Sequence, residues 1–285
     1  MLMAIALSLA IQETAAPAAA DPEIVVQGQR DVERRVSSFI RALTDVPLSG
    51  QISRFDWAVC PLVVGLAGRQ DEDAADRMRS VAQAVGIPVG KPKCKANVLV
   101  VVTNDTKKFV DSLKRGEPSY FEGVPPKEME ALGKSGAAAA WHIEGLLDAD
   151  GREVPRDAQT GQYRLSRTDV PSHISTTTRS HFLAAIVVLD SRALSGLTVV
   201  QLADYAAMRT FAHTDPSHVE KSAAPTILTI LDAPVGTSVP ITLTEWDYAY
   251  LKALYGSTEN RLAGQQRHEM ARKMTDDLKG PHDRH

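Results

Sequence analysis

The chain has 285 residues, a hydrophobic fraction of 44%, a charged fraction of 24% and a formal net charge of −3. This length suits one large domain or two small ones, and the composition is that of a folded protein with an ordinary apolar core. Because there is no basic excess and no long block of one charge, neither a nucleic-acid partner nor an anionic membrane surface is expected.

The first twenty residues have the pattern of a secretory signal peptide. Residues 2–11 are apolar apart from one serine, and an alanine-rich stretch follows over residues 15–20. Small residues of this kind suit signal-peptidase cleavage after Ala20. The apolar run is half of the roughly 20 residues that cross a bilayer, so no integral membrane anchor is expected. We predict a periplasmic or secreted protein; the alternative is a core helix of a cytosolic protein.

The flanks of the predicted domain differ from its interior. Residues 21–30 contain the β-prone run Glu23-Ile24-Val25-Val26 and precede any helical pattern, so we expect an extended tail there. The last residues, 281–285, are expected to be disordered. A single α+β domain is predicted between them, over residues 31–280.

Hydrophobic periodicity, caps and glycine stops predict alternating helices and strands in the first half of this domain. In chain order the predicted elements are a helix over 32–43, an edge strand over 59–66, a helix over 71–85, a buried strand over 98–102, a helix that ends at Gly116 and a short helix that ends at Gly133.

The two cysteines lie in this half, at Cys60 and Cys94. In an oxidising compartment such a pair is usually bridged. The alternatives are a metal pair and a nucleophilic cysteine, but neither residue has CxxC spacing or a catalytic motif around it. We therefore predict a disulfide that joins the starts of two strands across the intervening helix.

The second half of the domain is predicted to change from strands to helices. The predicted strands are one over 137–147 that returns through Glu153-Val154 and a buried one over 182–189, with a long polar loop over 155–180 between them. Three helices follow: the first covers 199–212, the second runs from a capping box at Thr242–Glu245 to Gly256, and the third covers 259–278. The predicted fold is α+β, with a mixed sheet of about four to five strands covered by amphipathic helices and a helical C-terminal third.

Two sets of residues are candidate metal ligands. His142 and Glu144 are two residues apart on a predicted strand and therefore share a face, and His181 on a neighbouring strand would complete a histidine–carboxylate site. The alternative is the polar, half-exposed face of an antiparallel strand. The second set is His213, Asp215 and His218, in the loop after the 199–212 helix. The alternative is that this loop is simply solvated and binds no metal.

The C-terminal half resembles a group of uncharacterised exported bacterial proteins. Segments 197–214, 226–232 and 243–255 carry this resemblance. Some families with this layout look like degraded relatives of zinc metallopeptidases, and in that comparison Gln201 and Tyr205 stand at the positions of the ligand helix. Because neither is a usual zinc ligand, the resemblance implies that peptidase activity is lost.

No catalytic motif names a reaction. The chain has no G-x-S-x-G nucleophile elbow and no glycine-rich phosphate loop. One hypothesis is therefore an exported, non-catalytic protein that binds an envelope protein partner or a ligand and needs no cofactor. The alternative hypothesis is a metal-dependent, peptidase-like hydrolase with a non-standard site at His142, Glu144 and His181.

Overall fold

A computed structural model describes residues 22–44, 50–134, 136–157, 161–164, 176–222, 224–234 and 236–279. The predicted signal peptide at 1–20 and the predicted disordered tail at 281–285 lie outside these ranges. The described part has an α+β fold with a mixed sheet and a helical C-terminal third, as predicted. None of its helices combines the length and the apolar character that a bilayer crossing requires.

Helices and strands alternate in the first half of the described chain, and helices dominate its last third. The helices are α1 (Pro22–Leu43), α2 (Gln70–Ala84), α3 (Thr106–Gly116), α4 (Pro126–Leu132), α5 (Val199–Phe211), α6 (Glu245–Tyr255) and α7 (Ala263–Leu278). The strands are β1 (Pro61–Val64), β2 (Val98–Thr103), β3 (Ala138–Leu147) and β4 (Arg179–Asp190).

The four strands form one mixed sheet in the order β1-β2-β4-β3. The β1–β2 and β2–β4 pairs are parallel, and β3 runs antiparallel to β4. The central strands β2 and β4 are almost continuously apolar because helices cover both faces of the sheet. β1 is an edge strand, as predicted, because proline cannot donate to a ladder; it covers Pro61–Val64, which is shorter than the predicted 59–66.

Two apolar clusters hold the sheet between helices. The larger one joins one face of the sheet to α2, α5 and the C-terminal helices, and the smaller one lies under α3 and α4. Trp141 is the largest side chain of the smaller cluster; its ring stacks on Phe121 at 5.0 Å, and its Nε1 donates to the carbonyl oxygen of Tyr120 at 2.8 Å. Satisfying the indole N–H is what allows this large ring to be fully buried.

The first helix begins earlier than the sequence predicts. An extended tail is predicted over residues 21–30, but α1 starts at Pro22. Proline suits the first turn of a helix because its fixed φ is already helical and its missing N–H would have no partner there. The buried stripe of Val36, Phe39 and Ile40 anchors the helix, and tertiary packing outweighs the β preference of the residues before it.

The capping box of α6 lies two residues later than predicted. The cap residue is Thr244, which exchanges hydrogen bonds with Asp247, whereas the prediction used Thr242 and Glu245. Thr242 instead donates its hydroxyl to Asp204 at 2.7 Å. Both threonines satisfy the local cap pattern. Because Thr242 is engaged by Asp204 of α5, Thr244 becomes the cap residue of α6.

The predicted disulfide joins Cys60 and Cys94, whose Cα atoms are 6.0 Å apart. It ties the start of β1 to the segment before β2, with α2 in the intervening chain. Gly90 packs directly against it, because a Cβ at this position would lie 2.7 Å from the sulfur of Cys94. The bridge is thus built into a tightly packed corner of the fold.

Candidate functional site

The structure separates the three residues that the sequence places in one metal site. His142 and Glu144 lie on β3, and His181 lies on β4 opposite Gly145. The imidazole of His142 stacks on Phe182, which directly follows His181. Since neighbouring residues of a strand point to opposite faces, His181 points away from His142. His181 instead packs edge-on against the indole ring of Trp57, with 4.7 Å between the ring centroids.

His142 and Glu144 meet two residues from other elements. Nδ1 of His213, just after α5, lies 3.9 Å from Oε1 of Glu144. Its Nε2 lies 3.6 Å from Oε1 of Glu128, which belongs to α4. The centroids of the imidazole rings of His213 and His142 are 5.0 Å apart. We call Glu128, His142, Glu144 and His213 the histidine–carboxylate cluster.

Backbone irregularities on both sides place these side chains. The pairing of β3 with β4 shifts register between Ile143 and Glu144, and such a bulge re-aims the side chains that follow it. α5 ends at Phe211, and the extended residue Ala212 then directs His213 toward the edge of β3. α4 brings Glu128 to the same edge from the other face.

His142 is held in its neutral form. Its Nε2 lies 3.1 Å from the carbonyl oxygen of Thr210, which can only accept, so Nε2 carries the proton and Nδ1 a lone pair. Burial lowers the pKa of His142 well below its usual 6.5, and charge on His213 and Arg209 lowers it further. His142 therefore stays neutral beside the ring of His213.

The position of His213 between two carboxylates has a simple electrostatic consequence. A neutral imidazole has one N–H and one lone pair, so it can attract only one of two carboxylates that approach its two nitrogens. An imidazolium has an N–H on each nitrogen and attracts both. A charged His213 would therefore interact favourably with both glutamates and so link α4, β3 and the end of α5.

Within the described ranges, no three His, Cys, Asp or Glu side chains are arranged to hold a metal ion. The loop set predicted after α5 is also divided, because His213 faces the two glutamates whereas His218 pairs with Asp215, with 3.4 Å between Nδ1 and Oδ2.

The two positions suggested by the metallopeptidase resemblance have structural roles. Gln201 completes the capping box of α5: its Oε1 accepts from the backbone N–H of Thr198 at 3.0 Å, and its Nε2 donates to the carbonyl oxygen of Pro240 at 2.8 Å. Tyr205 is buried, and its hydroxyl accepts from Nη1 of Arg209 at 3.2 Å. Both side chains are thus engaged in holding α5 in place.

His181 is an unusual buried residue in its own right. Its side chain is 1% exposed, and neither ring nitrogen has a hydrogen-bond partner among the residues that the structure describes. Gly145 permits this packing, because a Cβ there would come within 2.8 Å of Nε2. Burial lowers the pKa of His181 to about 4, with a smaller opposing effect from the carboxylate of Asp56.

We expect this histidine to reduce stability in acid. Between pH 6.5 and about 4 the unfolded chain binds a proton that the folded protein does not, so stability falls as the pH decreases through this window. The expected loss is about 2 kcal/mol after allowance for solvent screening. Urea unfolding of His181→Leu at pH 4.5 and 7 should show a smaller loss than the wild type, whereas His268→Leu, which removes an exposed histidine, should not. Equal losses in all three proteins would contradict the assignment to His181.

Comparisons with protein-family models, with curated proteins and with solved structures found no match. Function must therefore be inferred from the geometry. Sequence reasoning identifies His142, Glu144 and His213 as candidates but places them in two different sets, and it misses Glu128. Nothing in their spacing connects them, because residues 128, 144 and 213 meet only through the docking of α4 and α5 on β3.

Proposed function

We propose that this is an exported, non-catalytic binding protein of the bacterial envelope, in which α4 responds to pH. The observation that carries the pH response is the imidazole of His213 between the carboxylates of Glu128 and Glu144. Export is supported by the disulfide between Cys60 and Cys94 and by the signal-peptide pattern that ends at Ala20.

The proton acts on a small and weakly anchored element. α4 has seven residues, and of these only Leu132 is fully buried. A helix this short is not stable by itself and depends on its tertiary contacts. When His213 is protonated, it attracts Glu128 on α4 and Glu144 on β3 together. When the proton leaves, one of the two carboxylates faces a lone pair, and the attachment of α4 weakens.

Loosening of α4 would uncover apolar surface suited to a partner. α4 covers the smaller apolar cluster, in which Phe121 and Trp141 stack. Exposed apolar patches are typical of surfaces that bind other proteins. We therefore propose that an envelope protein partner binds better when His213 is neutral. This is the general design of a histidine switch, in which a local change of charge biases a local opening.

Hydrogen exchange tests the proposal directly. After correction for intrinsic exchange rates, the protection of the amides of α4 should fall about tenfold between pH 5.5 and pH 8, which corresponds to about 1.4 kcal/mol of local stability. His213→Gln cannot bind the proton and should show little pH dependence. His218→Gln removes the neighbouring histidine that pairs with Asp215 and serves as the matched control.

Two outcomes would contradict the proposal. One is equal protection of α4 at the two pH values in the wild-type protein. The other is a pH dependence in His213→Gln as large as that of His218→Gln. No contact in the described part of the chain favours the alternative of a metal-dependent hydrolase, and that alternative stays a prediction from sequence.

A further inference from the structure

A second site lies where β3 ends and β4 begins. A cleft of about 410 Å³ opens there between segments that are distant in sequence. One wall is formed by residues 148–149 and 176–179, at the turn after β3 and the start of β4. The other wall is residues 257–260, the connection between α6 and α7. The volume lies within the usual range for small-molecule sites.

The lining of this cleft is rich in hydroxyl groups. Among the parts of the chain that the structure describes, ten residues line the cleft and five of them are threonine or serine; Arg179, Glu259, Asp148 and Asn260 add charged and amide groups. Hydroxyl groups both donate and accept hydrogen bonds. Asp148 is already engaged in its own turn, because its Oδ1 accepts from the backbone N–H groups of Asp150 and Arg152, both at 2.9 Å.

A chain of four alternating charges, two of which line the cleft, joins its two walls. Arg54, Glu259, Arg179 and Asp56 form this chain. Nη2 of Arg54 lies 2.6 Å from Oε1 of Glu259. Nε of Arg179 lies 3.1 Å from the other Glu259 oxygen, and its Nη2 lies 2.9 Å from Oδ2 of Asp56. The four charges sum to zero, and the further acid of the lining, Asp148, lies 3.5 Å from Nε of Arg152, so the cleft has little net attraction for an ion.

The same chain is anchored in the protein interior. Arg54 is only 6% exposed, and its Nη1 donates to the carbonyl oxygens of Leu254 at 2.5 Å and Ser257 at 2.9 Å. On the opposite wall, Nε2 of Gln51 donates to the hydroxyl of Thr176 at 2.6 Å. Both walls are therefore held before any ligand arrives, and such preorganisation reduces the entropy lost on binding.

We propose that this cleft binds a neutral polyhydroxylated molecule of the size of a mono- or disaccharide. An anion is disfavoured because both Nε and Nη2 of Arg179 already donate to carboxylates. A pair of adjacent ligand hydroxyls can donate to Glu259 and accept from the hydroxyls of Thr177 and Thr178 without breaking the ion pairs. The inference does not depend on the pH response of α4.

Amide chemical shifts of the isotope-labelled full chain test the proposal. The probes are glucose, galactose, mannose, sucrose and trehalose, each titrated to high millimolar concentration. At least one sugar should give saturable shifts at residues 148–149, 176–179 and 257–260, with millimolar affinity because the described lining residues include no aromatic ring for stacking. A neutral glucose pentamer, compared with glucose, distinguishes a free sugar from the end of a glycan chain, and binding of either supports the proposal.

Matched variants localise the binding. Thr177→Val combined with Thr178→Val removes two lining hydroxyls without a change of shape and should weaken the affinity at least about tenfold. Thr237→Val, at an exposed threonine outside the cleft, should leave it unchanged. The proposal is overturned if no sugar gives saturable shifts in the wild type, if sulfate or citrate binds the cleft more tightly than every sugar, or if the double variant binds as well as Thr237→Val.

Discussion

Replacement of Asp204 by alanine should lower the free energy of unfolding by about 3–5 kcal/mol, among the largest effects of any single substitution in this protein. Asp204 lies on α5 with its side chain 0% exposed, and it accepts from Nε of Arg77 at 2.7 Å and from Nη2 at 3.0 Å. It also accepts from the hydroxyl of Thr242 at 2.7 Å and the backbone N–H of Leu243 at 2.9 Å. One carboxylate thus joins α2, α5 and the segment before α6.

The physical cause is the set of donors that the substitution would leave without an acceptor. The Arg77 side chain is 29% exposed and can recover part of its hydration, whereas the buried N–H of Leu243 cannot. Urea unfolding at neutral pH measures the change. Asp76→Ala is the matched control, because it removes an exposed acid of α2 that pairs with Arg79 and should cost less than about 1 kcal/mol. Similar losses in the two variants would contradict the structural role assigned to Asp204.

The disulfide is expected to contribute almost as much to the free energy of unfolding as the Asp204 carboxylate does. The cysteines are 34 residues apart in sequence, and closing a loop of this length in the unfolded chain is worth about 4 kcal/mol in the chain-entropy model. Cys60→Ala combined with Cys94→Ala should therefore lower the free energy of unfolding by about that amount. Reductant should destabilise the wild type to a similar level and leave the double variant unchanged.

Thiol titration gives an independent measurement of the same bridge. Under denaturing, non-reducing conditions, protein recovered from an oxidising compartment should have no reactive thiol. Two reactive thiols in such material, or a double variant as stable as the wild type, would show that the bridge contributes nothing to the fold.

The pH response and the cleft are proposals that fail independently, although both use the β3–β4 pair. Glu144 contributes to the cluster near the middle of β3, whereas Arg179 contributes to the cleft at the start of β4. A protein in which α4 has no pH response could still bind a sugar. Conversely, a cleft that binds no sugar would leave the hydrogen-exchange result for His213→Gln unaffected.

Local patterns in the sequence determined most of the regular structure. The Thr198–Gln201 capping box, the glycine stop after α2 and the apolar runs of β2 and β4 each act through residues a few positions apart, so they can be recognised without the fold. The pairing of Cys60 with Cys94 was predicted from their number together with the signal-peptide pattern, which indicates an oxidising compartment. These signals predicted the α+β class, the edge position of β1 and the helical C-terminal third.

Only the tertiary structure decided which polar groups meet. Thr242 and Thr244 fit the same cap pattern. Thr242 bonds to Asp204 of α5, which leaves Thr244 as the cap of α6. The sequence places His142 and Glu144 beside a histidine of β4, but the pleat turns that residue away and the end of α5 supplies His213 instead. Periodicity specifies which face of an element is apolar, whereas the approach of two side chains from distant elements depends on how those faces dock.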